Sequence, residues 1–276
     1  MSISSQLSHL SVLASRFFVT AHDWGLPAAS GMVVRSKLGS GTWAVRLRGS
    51  PGPFWFRCGL DRSVLTQFGR EFGIIDPRDG PPIRRIVDAG ANIGVFSALA
   101  RRLYPGAEIL ALEVEPENYA LLVKNAEALG HITPVNAALW SETGRVSLIL
   151  GDNPEAHAVT DRPEPGAQQV AATSLGDLLM THGWDSIDIL KMDIEGAEAA
   201  VIGSLGADLI GRINCIRVEC NDTEAPGNFL DMAKGLLSAD FDSYAFDENV
   251  YFIRRSTGWA FRRRYPGVAD IPCYPA

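Results

Sequence analysis

The run IVDAGANIGVFSALARRL, from Ile86 to Leu103, constrains this chain more than any other. Ile86 and Val87 close a short apolar strand, Asp88 ends it, and Gly90 and Gly94 bracket a tight turn. Ile93, Phe96, Ala100 and Leu103 then recur at helical spacing. The run predicts a strand, a glycine turn and a helix. A ligand over such a turn is expected to meet unpaired backbone N–H groups and the positive end of the helix, which suits a phosphate or a carboxylate.

A second strand, Glu108 to Leu112, delivers Glu113 to its C-terminal end about 20 residues after the turn, the distance at which an acid reaches ribose hydroxyls. In dinucleotide folds the second glycine of the turn lets the backbone approach a pyrophosphate. Here Ala91 and Asn92 fill that place, and their side chains would obstruct one. The turn therefore favours a ligand without phosphates. S-adenosylmethionine meets that description: its ribose needs an acid such as Glu113, and its amino acid end needs polar and backbone contacts. The competing reading is an ordinary βαβ turn that uses its glycines only for packing.

At 276 residues, with 46% hydrophobic and 21% charged residues, the chain is long enough for one large α/β domain and an appendage. A net charge of −7 disfavours a nucleic-acid backbone as partner, because phosphates require a basic face. The one basic cluster, Arg254 and Arg255 with Arg262, Arg263 and Arg264, reads as solvated surface, or as a face for an acidic substrate or an anionic membrane. Cys58, Cys215, Cys220 and Cys273 show no paired spacing, so neither zinc nor a disulfide framework is indicated; plain thiols suit a reducing, cytoplasmic setting.

The N-terminus lacks the pattern of a signal peptide, and no run approaches a membrane span. Leu7, Leu10, Val12, Leu13, Phe17 and Phe18 predict an apolar stripe on a short helix that packs on the domain or on a second subunit, which makes a homodimer plausible. From Gly31 to Arg57, three β-rich runs separated by glycine turns predict a meander or hairpin. Asp61 is expected to cap a helix through Phe72, and the PRDGPP segment marks a boundary between an appendage (1–80) and a ligand-binding domain (81–276). Arg57 either faces the cleft or lies on the surface.

Beyond Glu113, Pro116 to Leu129 predicts a helix and Ile132 to Val135 a strand ending at Asn136 and Ala137, which either contact an adenine or close a turn. Residues 151–169 read as a polar lid or substrate loop, in which His157 is either a base or a surface histidine. Ile187 to Met192 predicts a buried strand with Asp193 at its end, and Glu195 to Glu198 the start of the next helix. A strand from Ile213 to Val218 brings Glu219 to the same rim, and a hairpin over 244–252 completes a seven-stranded sheet.

DAGANIG, ALEVEPEN, VNAAL, TSLGDLL and LKMDIEGAE, in this order and spacing, resemble the FkbM family of S-adenosylmethionine-dependent methyltransferases over about Ile86 to Tyr244. The resemblance implies a class I methyltransferase fold, α/β and Rossmann-like, with a seven-stranded mostly parallel sheet, here carrying an N-terminal helix and a β-hairpin appendage. It implies O-methylation of a hydroxyl on a sugar, glycan or natural product. It places Asp88, Gly90, Asn92, Gly94 and Glu113 at the cofactor, with Val114, Asn118, Asn136 and Ala137 nearby, and Asp193, Glu195 and Glu198 in the KMDIEGAE segment. Val114 departs from the proline usual after the ribose acid. FRCGLDRS matches the family's upstream element only loosely, so Arg57 and Asp61 carry little weight.

The expected chemistry is attack of a substrate oxygen on a sulfonium methyl, with Asp193 as general base and Glu195 or Glu219 next in line, a role worth about 10²–10⁴-fold. Alternatively, Asp193, Glu219 and Asn221 hold Mg²⁺. The rival classes are an NAD-dependent oxidoreductase, against which Asn92 and the missing GxGxxG argue, and a non-catalytic binding module, which would lack the acids of the second rim.

Overall fold

The computed structural model describes residues 40–47, 49–61, 73–149, 158–161, 166–219, 233–246 and 248–262, with isolated positions between 21 and 34. The apolar N-terminal stripe, the helix after Asp61, His157 and Asn221 lie outside them. Of the first β-rich run, Gly31 and Val34 are described, and both are helical rather than extended.

The buried apolar runs pair as the alternation predicts. Strands β4 (Arg85–Ala89), β5 (Glu108–Leu112), β6 (Ile132–Val135), β11 (Ile187–Met192) and β12 (Ile213–Glu219) run parallel to their neighbours within one sheet. β13 (Phe241–Phe246) and β14 (Asn249–Arg254) close it as a hairpin, with β14 antiparallel to β12. The seven strands lie in the order β13-β14-β12-β11-β4-β5-β6. Strands buried on both faces need a core on each. On one face Ile86, Ile189 and Cys215 pack with helices α1 (Val95–Leu103) and α2 (Pro116–Leu129). On the other, Val87, Leu190 and Ile216 pack with α3 (Leu175–His182) and α4 (Glu198–Ser204). A short α5 (Ala207–Gly211) leads into β12.

The appendage is the hairpin β1 (Thr42–Arg46) and β2 (Pro53–Arg57). Its Phe54 and Phe56 are fully buried in the same core as Ile86 and Ile93. At its turn, a Cβ on Gly52 would stand 2.1 Å from the Ala128 carbonyl oxygen, so only glycine lets the hairpin lie this close to α2. Asn125 staples the two: Oδ1 accepts from the Trp55 N–H (2.6 Å), and Nδ2 donates to the carbonyls of Trp55 (3.0 Å) and Ile93 (2.7 Å). The segment around the PRDGPP breaker is held by the far end of the chain. β3 (Ile74–Asp76) pairs with β15 (Ala260–Arg262), and the Trp259 indole donates to the Pro81 carbonyl at 2.8 Å.

One further expectation changes. The 151–169 segment is not loop throughout, because β9 (Ala158–Thr160) and β10 (Gln168–Thr173) join β7 (Ala138–Leu139) and β8 (Gly144–Ile149) in a second sheet ordered β7-β10-β8-β9. Of the basic cluster, Arg255 and Arg262 are exposed, as the sequence predicts, and the three described arginines are all engaged. Arg254 donates to the carbonyls of Ile213 and Ile210, Arg255 pairs with Asp242 at 2.7 Å, and Arg262 pairs with Asp76.

Candidate active site at the strand ends

The glycine turn is held by the end of β5 and by its own residues. The Ala91 N–H donates to the Leu112 carbonyl (2.8 Å), the Asn92 N–H to the Glu113 carboxylate (2.8 Å), the Ile93 N–H to the Asn92 side chain (2.7 Å) and the Gly94 N–H to the Ala91 carbonyl (2.8 Å). The four N–H groups from Ala91 to Gly94 are therefore already taken. Asn92 adopts φ +50°, a left-handed conformation that asparagine tolerates better than most side chains. Gly94 occupies the cap of α1 at φ +90°.

Gly90 is demanded by packing. Its φ is +72°, and a Cβ there would stand 1.8 Å from the Asp193 carbonyl oxygen. Gly90→Ala is expected to cost about 2–5 kcal/mol, from backbone conformation and overpacking together, read as a lowered midpoint in chemical denaturation.

Glu113 is buried at the end of β5, 8% exposed. Its carboxylate accepts from Asn92, Val114 and Glu115 backbone N–H groups at 2.8, 3.0 and 2.8 Å, which ties the glycine turn to the turn before α2. Burial outweighs these donors and pushes the carboxyl up to about 7. Oε2 takes only one of the three bonds, so it keeps acceptor capacity for a hydroxyl donor. Asn136 Nδ2 donates to the Glu113 carbonyl at 2.8 Å, so this side chain fixes the strand end; Ala137 follows with its N–H on the Val135 carbonyl.

Asn118, buried on α2, accepts from Arg57 Nη2 at 2.5 Å, while Arg57 also pairs with the buried Asp61 at 2.7 Å. Arg57 is thus neither a free surface arginine nor an open cleft residue: it joins the hairpin to the helix that follows Glu113. The Glu115 side chain caps that helix, accepting from the N–H groups of Glu117 and Asn118.

Parallel register places Asp88, Lys191 and Arg217 side by side on β4, β11 and β12, with Tyr251 of β14 next in line. Asp88 is fully buried, takes a hydrogen bond from Ser97 Oγ (2.6 Å) and pairs with Lys191 Nζ (3.1 Å). It is a structural partner of the lysine rather than a group open to a ligand. Lys191 Nζ also donates to the Gly90 carbonyl (2.7 Å) and lies 3.4 Å from Asp193. Burial disfavours its charge, but Asp88 and Asp193 more than offset this and raise its pKa. Phe96 of α1 covers both cations, 6.0 Å from Lys191 and 5.6 Å from Arg217.

One step further along the strands stand Asp193, Glu219 and Asn249. The Asp193 side chain is 29% exposed and adjoins Glu219, the next residue of the neighbouring strand. Burial raises Asp193, but Lys191, Glu219 and Arg217 outweigh it and hold it below the usual carboxylate range. Burial and the adjoining Asp193 push Glu219 up to about 10.

Glu195 and Gly196 do not open the next helix. Both have positive φ, +50° and +93°, in the turn that precedes α4, which begins at Glu198. The Glu198 carboxylate folds back onto the Ile194 and Gly196 N–H groups at 2.8 and 2.9 Å and supports this turn.

Among the described residues no group of three or more His, Cys, Asp or Glu side chains could hold a metal ion. The cations Lys191 and Arg217 already supply positive charge beside Asp193 and Glu219, so the Mg²⁺ alternative finds no support.

Sequence reasoning missed Lys191, Arg217 and Asn125. The signal for the first two is present, since each is a cation set among apolar residues in a strand, ILKM and CIRV. Only the register shows that they are neighbours.

Residues 88–246 match the methyltransferase FkbM domain. The glycine turn, the Glu113 strand end and the acid-bearing ends of β11 and β12 are thus those of a methyltransferase domain. The match takes in more than half of the chain, and the chain belongs to the FkbM methyltransferase family. It is similar to methyltransferase sdnD of Sordaria araneosa, 34% identical over 151 residues, 42% of this chain and 58% of the relative. It is also similar to the 31-O-demethyl-FK506 methyltransferase FkbM of Streptomyces tacrolimicus, 24% identical over 54% of this chain and 70% of the relative. A solved methyltransferase FkbM from Methylobacillus flagellatus KT aligns over 62% of this chain and 43% of its own, at 18% identity and a TM-score of 0.45. The chain thus spans less than two thirds of the sdnD relative.

Proposed function

We propose that this chain is an S-adenosylmethionine-dependent O-methyltransferase whose acceptor is a hydroxyl of a small natural product or glycan. One observation carries the reading. A partly exposed carboxylate, Asp193, is held ionised at a strand end, packed against the same glycine turn that Glu113 clamps from the other side. Within the family, the FkbM relative is named for an O-demethyl acceptor, which supports oxygen as the methylated atom.

S-adenosylmethionine, when bound, supplies a sulfonium methyl that is already electrophilic. Glu113 would hold its ribose through Oε2, with Asn92 and Val114 beside it. The chain's remaining task is to place an acceptor oxygen and remove its proton. Good alignment contributes on the order of 7–11 kcal/mol, and a base about 10²–10⁴-fold. Asp193 is the base. Glu219 keeps its own proton at neutral pH and so is not a second base. Glu195 shapes the turn beside Asp193 through its left-handed backbone.

Isothermal titration with S-adenosylhomocysteine tests the cofactor. Micromolar binding, lost in Glu113→Ala and absent with NAD⁺, is expected; binding of NAD⁺ instead would favour the oxidoreductase class.

The same titration has a pH signature. Ribose hydroxyls donate to the ionised form of Glu113, so affinity is expected to fall about tenfold from pH 8 to pH 6 as this carboxyl takes up its proton near 7. The stability contribution runs the other way. Glu113 ionises higher in the fold than at its ordinary 4.5, so its contribution is fully present below 4.5 and is lost as pH rises through 7. Affinity that does not change over this range would remove Glu113 from the ribose.

A further inference from the structure

We propose that Asp193 and Glu219 act as one carboxyl pair holding a single proton, in which Glu219 is a positioning residue that donates its hydrogen to Asp193 and so aims the free carboxylate oxygen at the acceptor. The inference rests on the methyltransferase reading and adds Glu219 to it.

Three observations carry it. First, Met192 of β11 is in register with Val218 of parallel β12, so Asp193 and Glu219 leave the same end of adjacent strands, roughly 5 Å apart, within reach of a carboxyl–carboxyl hydrogen bond. Two carboxyls this close can bond to one another only if one of them keeps a proton.

Second, the charges beneath the pair already balance without an ionised Glu219. Asp88 and Asp193 are met by Lys191 and Arg217, both cations 2% exposed. A third carboxylate would leave an uncompensated buried charge, which is costly; a neutral carboxyl would not.

Third, the cation singles out one of the two acids. Both are partly exposed, but Lys191 lies 3.4 Å from Asp193, so Asp193 is the partner whose charge is held while a substrate can still reach it.

The groups facing the pair are Asp88 from β4, Lys191 from β11, Arg217 from β12, Asn249 and Tyr251 from β14 and Glu198 from α4. In the transfer step, the hydroxyl oxygen bonds to the methyl carbon as the carbon–sulfur bond breaks and its electron pair goes to sulfur. The hydroxyl proton passes to Asp193. The pair then carries two protons, and one must leave to water before the next turnover.

Carboxyl ¹³C NMR of the full chain, labelled at glutamate Cδ and free of ligand, tests the pair. At pH 8.5 one glutamate carboxyl is expected to remain protonated, to ionise near pH 10, and to vanish from the spectrum of Glu219→Gln. In Asp193→Asn, which removes the like charge, the same signal is expected to ionise at lower pH. A Glu219 carboxyl already ionised at pH 8.5, or one whose titration ignores Asp193→Asn, overturns the proposal. Because no cofactor is present, that failure leaves the methyltransferase reading intact. Failure of the cofactor titration would instead leave the pair standing without its assigned reaction.

Discussion

Asp193→Asn is expected to lower methyl transfer by about 10²–10⁴-fold while S-adenosylhomocysteine binding stays within a few-fold of wild type. The substitution keeps the size of the side chain and a hydrogen-bonding partner for Glu219. What it removes is the charge that Lys191 holds at 3.4 Å on a partly exposed side chain. The readout is transfer from methyl-tritiated S-adenosylmethionine into a panel of hydroxylated sugars and macrolides, with binding measured on the same preparations. Loss of binding and turnover together would assign the Asp193 side chain to holding the turn, through its ion pair with Lys191, rather than to proton removal.

Lys191→Met is expected to destabilise the fold by about 3–5 kcal/mol, the cost of leaving a buried carboxylate without its cation. Asp88 is fully buried, and Lys191 is its partner at 3.1 Å; Ser97 offers a hydroxyl but no charge. Urea denaturation at pH 7.5 reads the effect as a lowered midpoint. The double variant Asp88→Asn with Lys191→Met should recover a substantial part of the loss, because both charges then leave together. Equal destabilisation in the single and double variants would show that the lysine contributes through its donation to the Gly90 carbonyl and its packing, not through Asp88.

Much of this architecture is legible in the chain because its strands are short apolar runs with well-marked ends. Glu108–Leu112, Ile132–Val135 and Ile187–Met192 fold with the bounds that their composition indicates. Pro116 with its capping Glu115 fixes the start of α2 in the same local way. The site is legible at the level of which residues gather there, since an acid just past an apolar strand must emerge at that strand's C-terminal end. What those residues do to one another is not, because register decides it. Asp88 reads as a cofactor residue from its place before the turn, yet parallel pairing sets it beside Lys191, 103 positions further on, and turns it inward. The glycine turn likewise reads as a set of open donors. The N–H groups of Ala91 to Gly94 are instead taken by Leu112, Glu113 and the turn's own residues, partners that lie at the end of another strand or on the turn itself. Glu195 misleads for a local reason: acids favour a helix start, and while Gly196 permits a left-handed turn, nothing in IEGAE marks Glu195 as sharing it. The 151–169 segment reads as loop because proline and glycine interrupt it, while β10 gains its place only by pairing with β8 and β7.

The measurement that bears most directly on the central claim is a crystal structure of the complex with S-adenosylhomocysteine. The account predicts ribose hydroxyls on the Glu113 carboxylate and the sulfur facing the rim where Asp193 and Glu219 meet. A homocysteine compound bound away from Glu113, or with its sulfur turned from Asp193, would contradict it.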